Sequence, residues 1–546
     1  MLRACVLYLC FVGIKCLVTT VNDHPQVETK LGKVEGTWRT SFNGRKYAAF
    51  EGIPYAKPPI GDLRFEEPQP MESWSGVWNA TRIYVCPQAT SNFQVTGDED
   101  CLFINVYVPK TGNGKLLDVV AHIHAGAFMA GFAQELIGDK YVMDKDLVIV
   151  SFNYRLGALG FLSTGDEVVP GNNGLKDQVL ALKWIQENIA AFGGNPKSVT
   201  LTGLSAGAAS VHFHYFSSYS KGLFHRGWSA SGTALGRWAL QEEPLKAAKR
   251  LAENVGCDFE ETEKMVKCLK TRPASLLVEK TSRSLYSFEQ LPCCPFSPVI
   301  EKRGKEPFLA DHPYNLLKQG KVYDVPWIAA ITKDDGLVLS AIFLAKIDEV
   351  NEKWNEIAGP HILDYHNAAP QIFDEIKKHY DHDRDGTLNF DELTKLSTEA
   401  PLLVPMQTSV GLQSKVTKSP IFVYHFNYEG VNSIKELLRL PKEVKGVFHG
   451  DDMIYFLGAA ISKPLSDEDI KVKDDCLDIL YAYASKGVPS INNTKWEPVK
   501  KNFVYYDING PDDIQKRVET DFHTKKFWDG LGLLENNTLI SKKDEL

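Results

Sequence analysis

The sequence lacks the features that mark several broad classes of protein. Beyond its first 20 residues, the 546-residue chain has no uncharged apolar run of the ~18 residues that a membrane-spanning helix needs. No block of like charge stands out, and 61 basic against 69 acidic residues argue against nucleic acids and anionic membranes as partners. Internal repeats and low-complexity linkers are absent as well. We therefore expect a folded globular chain with no stable membrane insertion.

The first 20 residues have the pattern of a secretory signal peptide. Arg3 supplies a positive start, an apolar run covers residues 4–14, and Lys15 precedes more polar sequence. The run is too short to cross a bilayer, although a short membrane anchor is the alternative interpretation. We predict a cleaved signal peptide at residues 1–20.

The last four residues, Lys543-Asp544-Glu545-Leu546, form the signal by which a receptor returns proteins to the endoplasmic reticulum. Retention there requires entry into the secretory pathway, which the predicted signal peptide provides. The two ends thus predict a protein of the endoplasmic reticulum lumen that has the retention-signal receptor as a partner. We expect residues 21–542 to form a single domain.

Cysteine usage fits an oxidising compartment. Three of the 10 cysteines lie in the predicted signal peptide, and no Cys-x-x-Cys pair supports a redox or zinc-ribbon motif. The other seven are Cys86, Cys101, Cys257, Cys268, Cys293, Cys294 and Cys476. Disulfides are expected in the lumen, and the odd number means that at least one thiol is free or pairs between chains.

Three Asn-x-Ser/Thr sequons occur, at Asn79, Asn492 and Asn536. In a protein of the secretory pathway each is a candidate glycosylation site. We therefore expect these three asparagines to lie on the surface.

Apolar runs rich in β-branched residues alternate with a helical pattern along the chain. Strands are predicted at residues 119–123, 147–152, 199–202, 326–331 and 421–424, and a helix at residues 175–191. This alternation predicts an α/β fold with a large, mostly parallel central sheet flanked by helices. Functional sites on such sheets lie at the carboxyl ends of the strands.

A candidate nucleophile follows one of these strands. Residues 203–207 read Gly-Leu-Ser-Ala-Gly between a predicted strand and a small-residue helix start, which is the context of a nucleophile elbow. Side chains in place of Gly203 and Gly207 would collide with neighbouring backbone, so the tight turn lifts Ser205 above the sheet in a strained conformation. A glycine-rich loop without a catalytic role is the alternative.

Partners for such a serine also occur in the sequence. Asp335 follows the predicted strand 326–331, and His449 lies in a later Phe-His-Gly-Asp-Asp segment. The chain order Ser205, Asp335, His449 is that of the α/β-hydrolase triad. Upstream, the strand 119–123 leads into His-Ala-Gly-Ala-Phe, which is similar to the loop that donates backbone N–H groups to an oxyanion.

Further motifs in one order carry a resemblance to a known family. They read Phe-Glu-Gly-Ile-Pro-Tyr-Ala at residues 50–56, Glu-Asp-Cys-Leu at 99–102, Asn-Tyr-Arg-Leu-Gly at 153–157 and Gly-Gly-Asn-Pro at 193–196. With the elbow and the triad order, they make residues 27–527 similar to the type-B carboxylesterases, the family that also holds cholinesterases and bile-salt lipase. The C-terminal ending resembles that of gut and liver carboxylesterases retained in the endoplasmic reticulum.

The resemblance implies an α/β-hydrolase that cleaves small-molecule carboxylic esters and requires no cofactor for catalysis. It implies Ser205 as nucleophile, Asp335 as acid and His449 as base. The oxyanion donors that it implies are Gly126, Ala127 and Ala206, and the disulfides are Cys86 with Cys101 and Cys257 with Cys268. The rival is a non-catalytic binding protein on the same fold, although such members typically lack part of the triad.

The sequence departs from the family in two places. The usual His-Gly-Gly-Gly-Phe is His-Ala-Gly-Ala-Phe here, and the acid is Asp335 where many relatives have Glu. Ala127 fits the motif if its φ is negative, whereas Ala125 puts a Cβ where glycine allows free φ. Aspartate and glutamate both serve as the acid of this triad.

Three neighbours of the candidate triad have less definite interpretations. Asp334 is interpreted as a solvated carboxylate rather than a catalytic one. Ser231 is either a hydrogen-bond donor to the acid or a plain turn serine. Asp452 matches a buried carboxylate that supports the site in relatives.

One motif lies outside the family pattern. Residues 381–392 fit the EF-hand calcium loop, with apolar residues at helical spacing on both sides. The candidate ligands are Asp381, Asp383, Asp385, Thr387, Asn389 and Glu392. An acidic surface loop between two helices is the alternative, because no second loop is present to form a pair. Bound calcium would have a structural role.

Overall fold

The computed structural model describes residues 18–21, 23–90, 94–111, 114–135, 139–286, 294–302, 306–357, 362–363, 370–436, 440–458, 462–519 and 524–531. Residues 1–17 of the predicted signal peptide, Cys293, Asn536 and the terminal residues 543–546 lie outside this set. Within it, no helix combines the length and the apolar character that a bilayer crossing demands.

Strands and helices alternate along the chain. The strands are β1 (Thr19–Val21), β2 (His24–Glu28), β3 (Lys33–Glu35), β4 (Thr37–Thr40), β5 (Lys46–Pro54), β6 (Val77–Asn79), β7 (Gln88–Ala89), β8 (Val95–Thr96), β9 (Phe103–Pro109), β10 (Leu117–Ile123), β11 (Leu147–Phe152), β12 (Gly194–Leu204), β13 (Arg226–Ala230), β14 (Trp327–Thr332), β15 (Ile421–Phe426), β16 (Ser490–Ile491), β17 (Thr494–Lys495), β18 (Phe503–Gly510) and β19 (Asp513–Glu519). The helices are α1 (Asp139–Val142), α2 (Gly157–Phe161), α3 (Asn173–Asn188), α4 (Ala206–Phe216), α5 (Pro244–Asn254), α6 (Thr262–Lys270), α7 (Ala274–Tyr286), α8 (Pro313–Lys318), α9 (Leu337–Phe343), α10 (Ile347–Glu352), α11 (Trp354–Ile357), α12 (Pro370–Tyr380), α13 (Phe390–Thr398), α14 (Val404–Val416), α15 (Asp451–Phe456), α16 (Asp467–Lys486) and α17 (Lys525–Gly530). A π-helical turn, Glu399–Leu403, joins α13 to α14.

Eleven strands form the central sheet, in the order β19-β18-β15-β14-β13-β12-β10-β11-β9-β5-β4. The strands from β18 to β11 pair in parallel. The remaining strands pair antiparallel at the two edges. The predicted mostly parallel sheet is therefore confirmed.

Both faces of the sheet are buried. Along β10, Val119 and Ala121 belong to one hydrophobic core and Val120 to a second. Along β14, Ala329 and Ile328 divide between the same two cores. Because successive strand residues point to opposite faces, each face of the sheet packs against its own apolar layer.

Each predicted strand lies in an observed one: residues 119–123 in β10, 147–152 in β11, 199–202 in β12, 326–331 mostly in β14 and 421–424 in β15. The predicted helix 175–191 corresponds to α3 followed by a 3-10 turn, Ile189–Phe192. Gly193 ends that turn in the left-handed region, with φ 90°, which glycine adopts without a steric penalty.

Helices α9 to α14 and α17 share a third hydrophobic core, and we call this set the helical layer. Its buried residues include Trp354, Phe373, Tyr380, Leu393 and Trp528. The layer contains the predicted helix–loop–helix, since α12 and α13 flank residues 381–392. It begins at Leu337, two residues after Asp335, and therefore joins the sheet at the candidate acid.

Candidate active site

Ser205 lies in the turn between β12 and α4. Its backbone has φ 57° and ψ −118°, far from the regions that a non-glycine residue prefers. A Cβ added at Gly203 would overlap the backbone of Gly207, and one added at Gly207 would overlap the carbonyl of Ile123. The Ser205 N–H donates to the carbonyl oxygen of Ala230 at 2.9 Å. The strained turn that the glycine spacing predicts is therefore present.

Asp335 lies in the turn after β14 and is fully buried. Its Oδ2 accepts a hydrogen bond from Ser231 Oγ at 2.6 Å and another from the Thr332 N–H at 3.1 Å. Its Oδ1 contacts Nδ1 of His449. Of the two interpretations of Ser231, the hydrogen bond to the acid is the one that holds.

The His449 loop is held by two further carboxylates. Asp451 accepts the N–H of Phe448 at 2.8 Å and the N–H of Ile434 at 2.8 Å, and burial raises its pKa to about 7. Asp334 Oδ2 accepts the Val447 N–H at 2.9 Å. Asp334 is therefore more than a solvated carboxylate, because it ties the turn of the acid to the loop of the base. Local sequence gives no sign of this contact, whose partners are 113 residues apart.

The base loop also returns to the strand of the nucleophile. A Cβ added at Gly450 would lie 2.6 Å from Cδ2 of Leu204, the residue before Ser205. The structure thus brings the candidate base next to the elbow and in contact with the candidate acid.

Asp452, three residues after His449, is fully buried. Its Oδ2 accepts a hydrogen bond from the Tyr424 hydroxyl at 2.6 Å, while its Oδ1 has no partner among the residues that the structure describes. Burial raises the pKa of Asp452 to about 6, and the charge of Asp335 adds to the shift. Asp452 is therefore buried, as the resemblance implies, and its support of the site stays a prediction.

The candidate oxyanion loop contains a run of left-handed residues. Gly126, Ala127 and Phe128 have φ values of 111°, 55° and 59°, whereas Ala125 is outside the left-handed region. The condition of a negative φ at Ala127 is therefore not met, and the strain falls on Ala127 rather than on Ala125. The backbone N–H groups of Gly126, Ala127 and Ala206 donate to no other described residue, so all three are free to bind an anion.

Ring stacking and a hydrogen bond position the His124 side chain directly after β10. The His124 ring stacks on Tyr154 with centroids 4.4 Å apart, and its Nδ1 lies 2.8 Å from the carbonyl oxygen of Ala125. Because a carbonyl only accepts, Nδ1 carries the proton of a neutral ring. Burial lowers the pKa of His124 to about 4, which keeps the ring neutral near pH 7.

In the predicted calcium loop, residues 381–392, carboxylates accept hydrogen bonds from the backbone of the loop itself. Asp381 accepts the N–H of Gly386 at 2.9 Å, and Glu392 accepts those of His382 at 2.7 Å and Asn389 at 2.9 Å. No group of three or more His, Cys, Asp or Glu side chains in the described ranges is arranged to hold a metal. Asp383, Asp385, Thr387 and the other candidate ligands thus do not converge in this conformation, and calcium binding stays a prediction.

Two disulfides confirm the cysteine pairs that the resemblance implies. Cys86 bonds to Cys101 and Cys257 to Cys268. Cys294 and Cys476 are both buried, and burial raises the pKa of the Cys476 thiol. A protonated thiol in the core is unreactive.

Known proteins are similar to this chain along nearly its whole length. The model of the carboxylesterase family matches residues 23–528. Venom carboxylesterase-6 of Apis mellifera is 38% identical over 550 residues, which cover 97% of this chain and 98% of that protein. A carboxylic ester hydrolase of Bombus ignitus is 38% identical over 94% of this chain and 95% of its own length.

A solved structure matches as well. The crystal structure of juvenile hormone esterase from Manduca sexta, with OTFP covalently attached, has a TM-score of 0.82 and 29% identity over 93% of this chain and 99% of that one. The chain has the α/β-hydrolase fold and belongs to the carboxylesterase family, as its motifs predict.

Proposed function

We propose that this ester hydrolase works through a covalent acyl-enzyme on Ser205. His449 takes the proton of the serine hydroxyl as the oxygen attacks the ester carbonyl. Asp335 holds the imidazole by its Nδ1 proton and stabilises the imidazolium that forms. His449 then gives the proton to the leaving alcohol, and water repeats the attack to release the acid. The contact between Asp335 and His449 beside the strained elbow carries this proposal.

The tetrahedral intermediate places a negative charge on the former carbonyl oxygen. The N–H groups of Gly126, Ala127 and Ala206 are the proposed donors to it. Losing one such donor typically costs a factor of 10² to 10³ in kcat. Their freedom from other hydrogen bonds among the described residues supports this role.

A fluorophosphonate probe combined with nitrophenyl esters of rising acyl length tests the proposal. Wild type should be labelled at Ser205 and should hydrolyse the esters, whereas Ser205→Ala should do neither. Ser414→Ala, on α14 outside the site, is the matched control and should behave as wild type. Unlabelled, inactive wild-type protein would favour the rival, a binding protein on the same fold.

We further propose that the enzyme acts in the lumen of the endoplasmic reticulum and is bound by the retention-signal receptor. The terminal Lys-Asp-Glu-Leu supports this location. Removal of residues 543–546 should move active enzyme into the culture medium of expressing cells. Enzyme that stays inside the cells would show that another feature retains it.

Glycans at Asn79, Asn492 and Asn536 belong to the same proposal. Asn79 and Asn492 have exposed side chains, which supports their access to the glycosylation machinery. Treatment with an amidase that removes N-glycans should lower the apparent mass of wild type. A triple Asn→Gln variant should show no such change.

For the loop at residues 381–392 we propose calcium binding with a structural role, on its sequence pattern alone. Asp381 and Glu392 now accept hydrogen bonds from backbone N–H groups of the loop, and their carboxylates keep lone pairs with which a cation could be bound. Calorimetric titration of wild type and of a variant with Asp381→Asn and Glu392→Gln tests it. Heat at millimolar calcium in wild type alone supports the proposal, and no heat in either leaves an acidic loop.

A further inference from the structure

The turn that carries Asp335 rests on α13 of the helical layer. The N–H of Gly336, the next residue, donates to Thr398 Oγ1 at 2.8 Å. The same hydroxyl donates to the carbonyl oxygen of Thr394 at 2.9 Å. Thr398 is 7% exposed and Gly336 is buried. A buried threonine hydroxyl thus accepts from the turn of the acid and is itself oriented by its own helix.

The Asp335 turn and α13 approach each other as closely as their backbones allow. A Cβ added at Gly336 would overlap the backbone N of Thr398 and would lie 2.5 Å from the Thr394 carbonyl oxygen. Gly336 has φ −67°, so glycine is needed here for space rather than for a left-handed conformation. The turn therefore cannot shift toward α13, and the hydrogen bond limits its movement away.

The other anchors of this turn come from the sheet side of the molecule. Ser231, after β13, donates to Asp335, and Asp334 accepts the Val447 N–H from the loop of the base. Thr398 belongs instead to the helical layer, which has its own hydrophobic core. The turn of the acid is thus held by Ser231, by Asp334 and by Thr398. The contact with Thr398 depends on the position of the helical layer relative to the sheet.

We propose that Thr398 is a positioning residue for catalysis, which sets the Asp335 turn against His449. This rests on the proposed triad. Without the hydroxyl, the buried Gly336 N–H loses its acceptor and the turn moves to find another. A displacement of about 1 Å in a catalytic group can lower the rate by about 10². Because Thr398 and Gly336 are both buried, we expect substrate binding and KM to stay unchanged.

The test compares kcat and KM on one nitrophenyl ester for wild type, Thr398→Val, Thr398→Ser and Ser340→Ala. Thr398→Val keeps the shape but removes the acceptor, and kcat should fall about 10- to 100-fold with KM within about twofold. Thr398→Ser restores the hydroxyl and should recover most of kcat. Thr398→Ala, with less bulk, carries the same expectation should the valine variant not fold.

Ser340→Ala is the matched control. Ser340 Oγ lies 2.7 Å from Thr394 Oγ1, so this variant removes a buried hydrogen bond between α9 and α13 but leaves the Asp335 turn untouched. It should lose thermal stability and keep kcat. An unchanged kcat in Thr398→Val, or an equal loss in Ser340→Ala, overturns the positioning role alone. An inactive wild type would instead remove the proposed triad, and this proposal with it.

Discussion

Ala127 adopts a left-handed backbone conformation (φ 55°) in the loop that supplies two of the proposed oxyanion donors. A residue with a Cβ loses roughly 1–2 kcal/mol there, and such strain persists only where the surroundings fix the backbone. Ala125, two residues earlier, is not strained in this way. Sequence alone placed the doubt on Ala125 because the motif does not reveal which of its positions needs a positive φ.

Replacing each alanine by glycine tests which of the two positions has a strained backbone. Ala127→Gly relieves the strain at the price of a more flexible unfolded chain, so the free energy of unfolding should rise by about 0.5 kcal/mol. Ala125→Gly relieves nothing and should lose about 0.5–1 kcal/mol. Urea unfolding of the two variants measures both. Equal destabilisation by the two changes would show that Ala127 is not strained.

The ionisation of Asp452 makes the free energy of unfolding depend on pH. Burial raises its pKa from the ordinary 3.8 to about 6. Between these values the folded chain still holds a proton that the unfolded chain has released, so stability falls as pH rises through this window. Asp452→Asn, neutral at every pH, should gain about 1–3 kcal/mol in free energy of unfolding near pH 8 and nothing near pH 4.

The control for this change is Asp513→Asn, an exposed carboxylate on β19. It should leave the free energy of unfolding unchanged at both pH values. A gain in Asp452→Asn that is the same at pH 8 and pH 4 would mean that packing, and not ionisation, is responsible.

At the scale of elements, short-range sequence patterns predicted the turns and helices whose formation depends on neighbouring residues. The β12–α4 turn followed from the spacing of Gly203 and Gly207, and the helices around residues 381–392 followed from apolar periodicity. The π-helical turn Glu399–Leu403 was not predicted. Its Pro401 carbonyl accepts the Trp238 indole N–H at 3.1 Å, across 163 residues. Tertiary contacts of this kind leave no periodic trace in the sequence.

Two glycine-to-alanine changes in helices should have opposite signs. Gly207→Ala would drive a Cβ into the Ile123 carbonyl and should lower the free energy of unfolding by about 3 kcal/mol, with loss of activity. Gly411→Ala, in α14 with nothing near its added Cβ, should raise it by about 0.5–1 kcal/mol. Thermal unfolding of both compares them. An unchanged free energy of unfolding in Gly207→Ala would mean that α4 and β10 are not in close backbone contact at this position.

At the scale of the whole molecule, three distant segments meet at one edge of the sheet. β12, β14 and the loop before α15 supply Ser205, Asp335 and His449, and the last two make contact across 114 residues. The parallel order of the strands made this meeting predictable, because the carboxyl ends of such strands share an edge. The anchors at Asp334, Asp451 and Thr398 could not be predicted, because each joins loops or helices whose placement depends on the folded chain.

The central claim is that Ser205 and His449 act as one catalytic unit. Its most direct test is kcat/KM on one nitrophenyl ester for Ser205→Ala, His449→Ala and the double variant, with circular dichroism to confirm that each is folded. Each single change should lower the rate by about 10⁴- to 10⁶-fold, and the double variant should be little slower than either. Losses that multiply in the double variant would contradict the account, because they would mean that His449 does not act through Ser205.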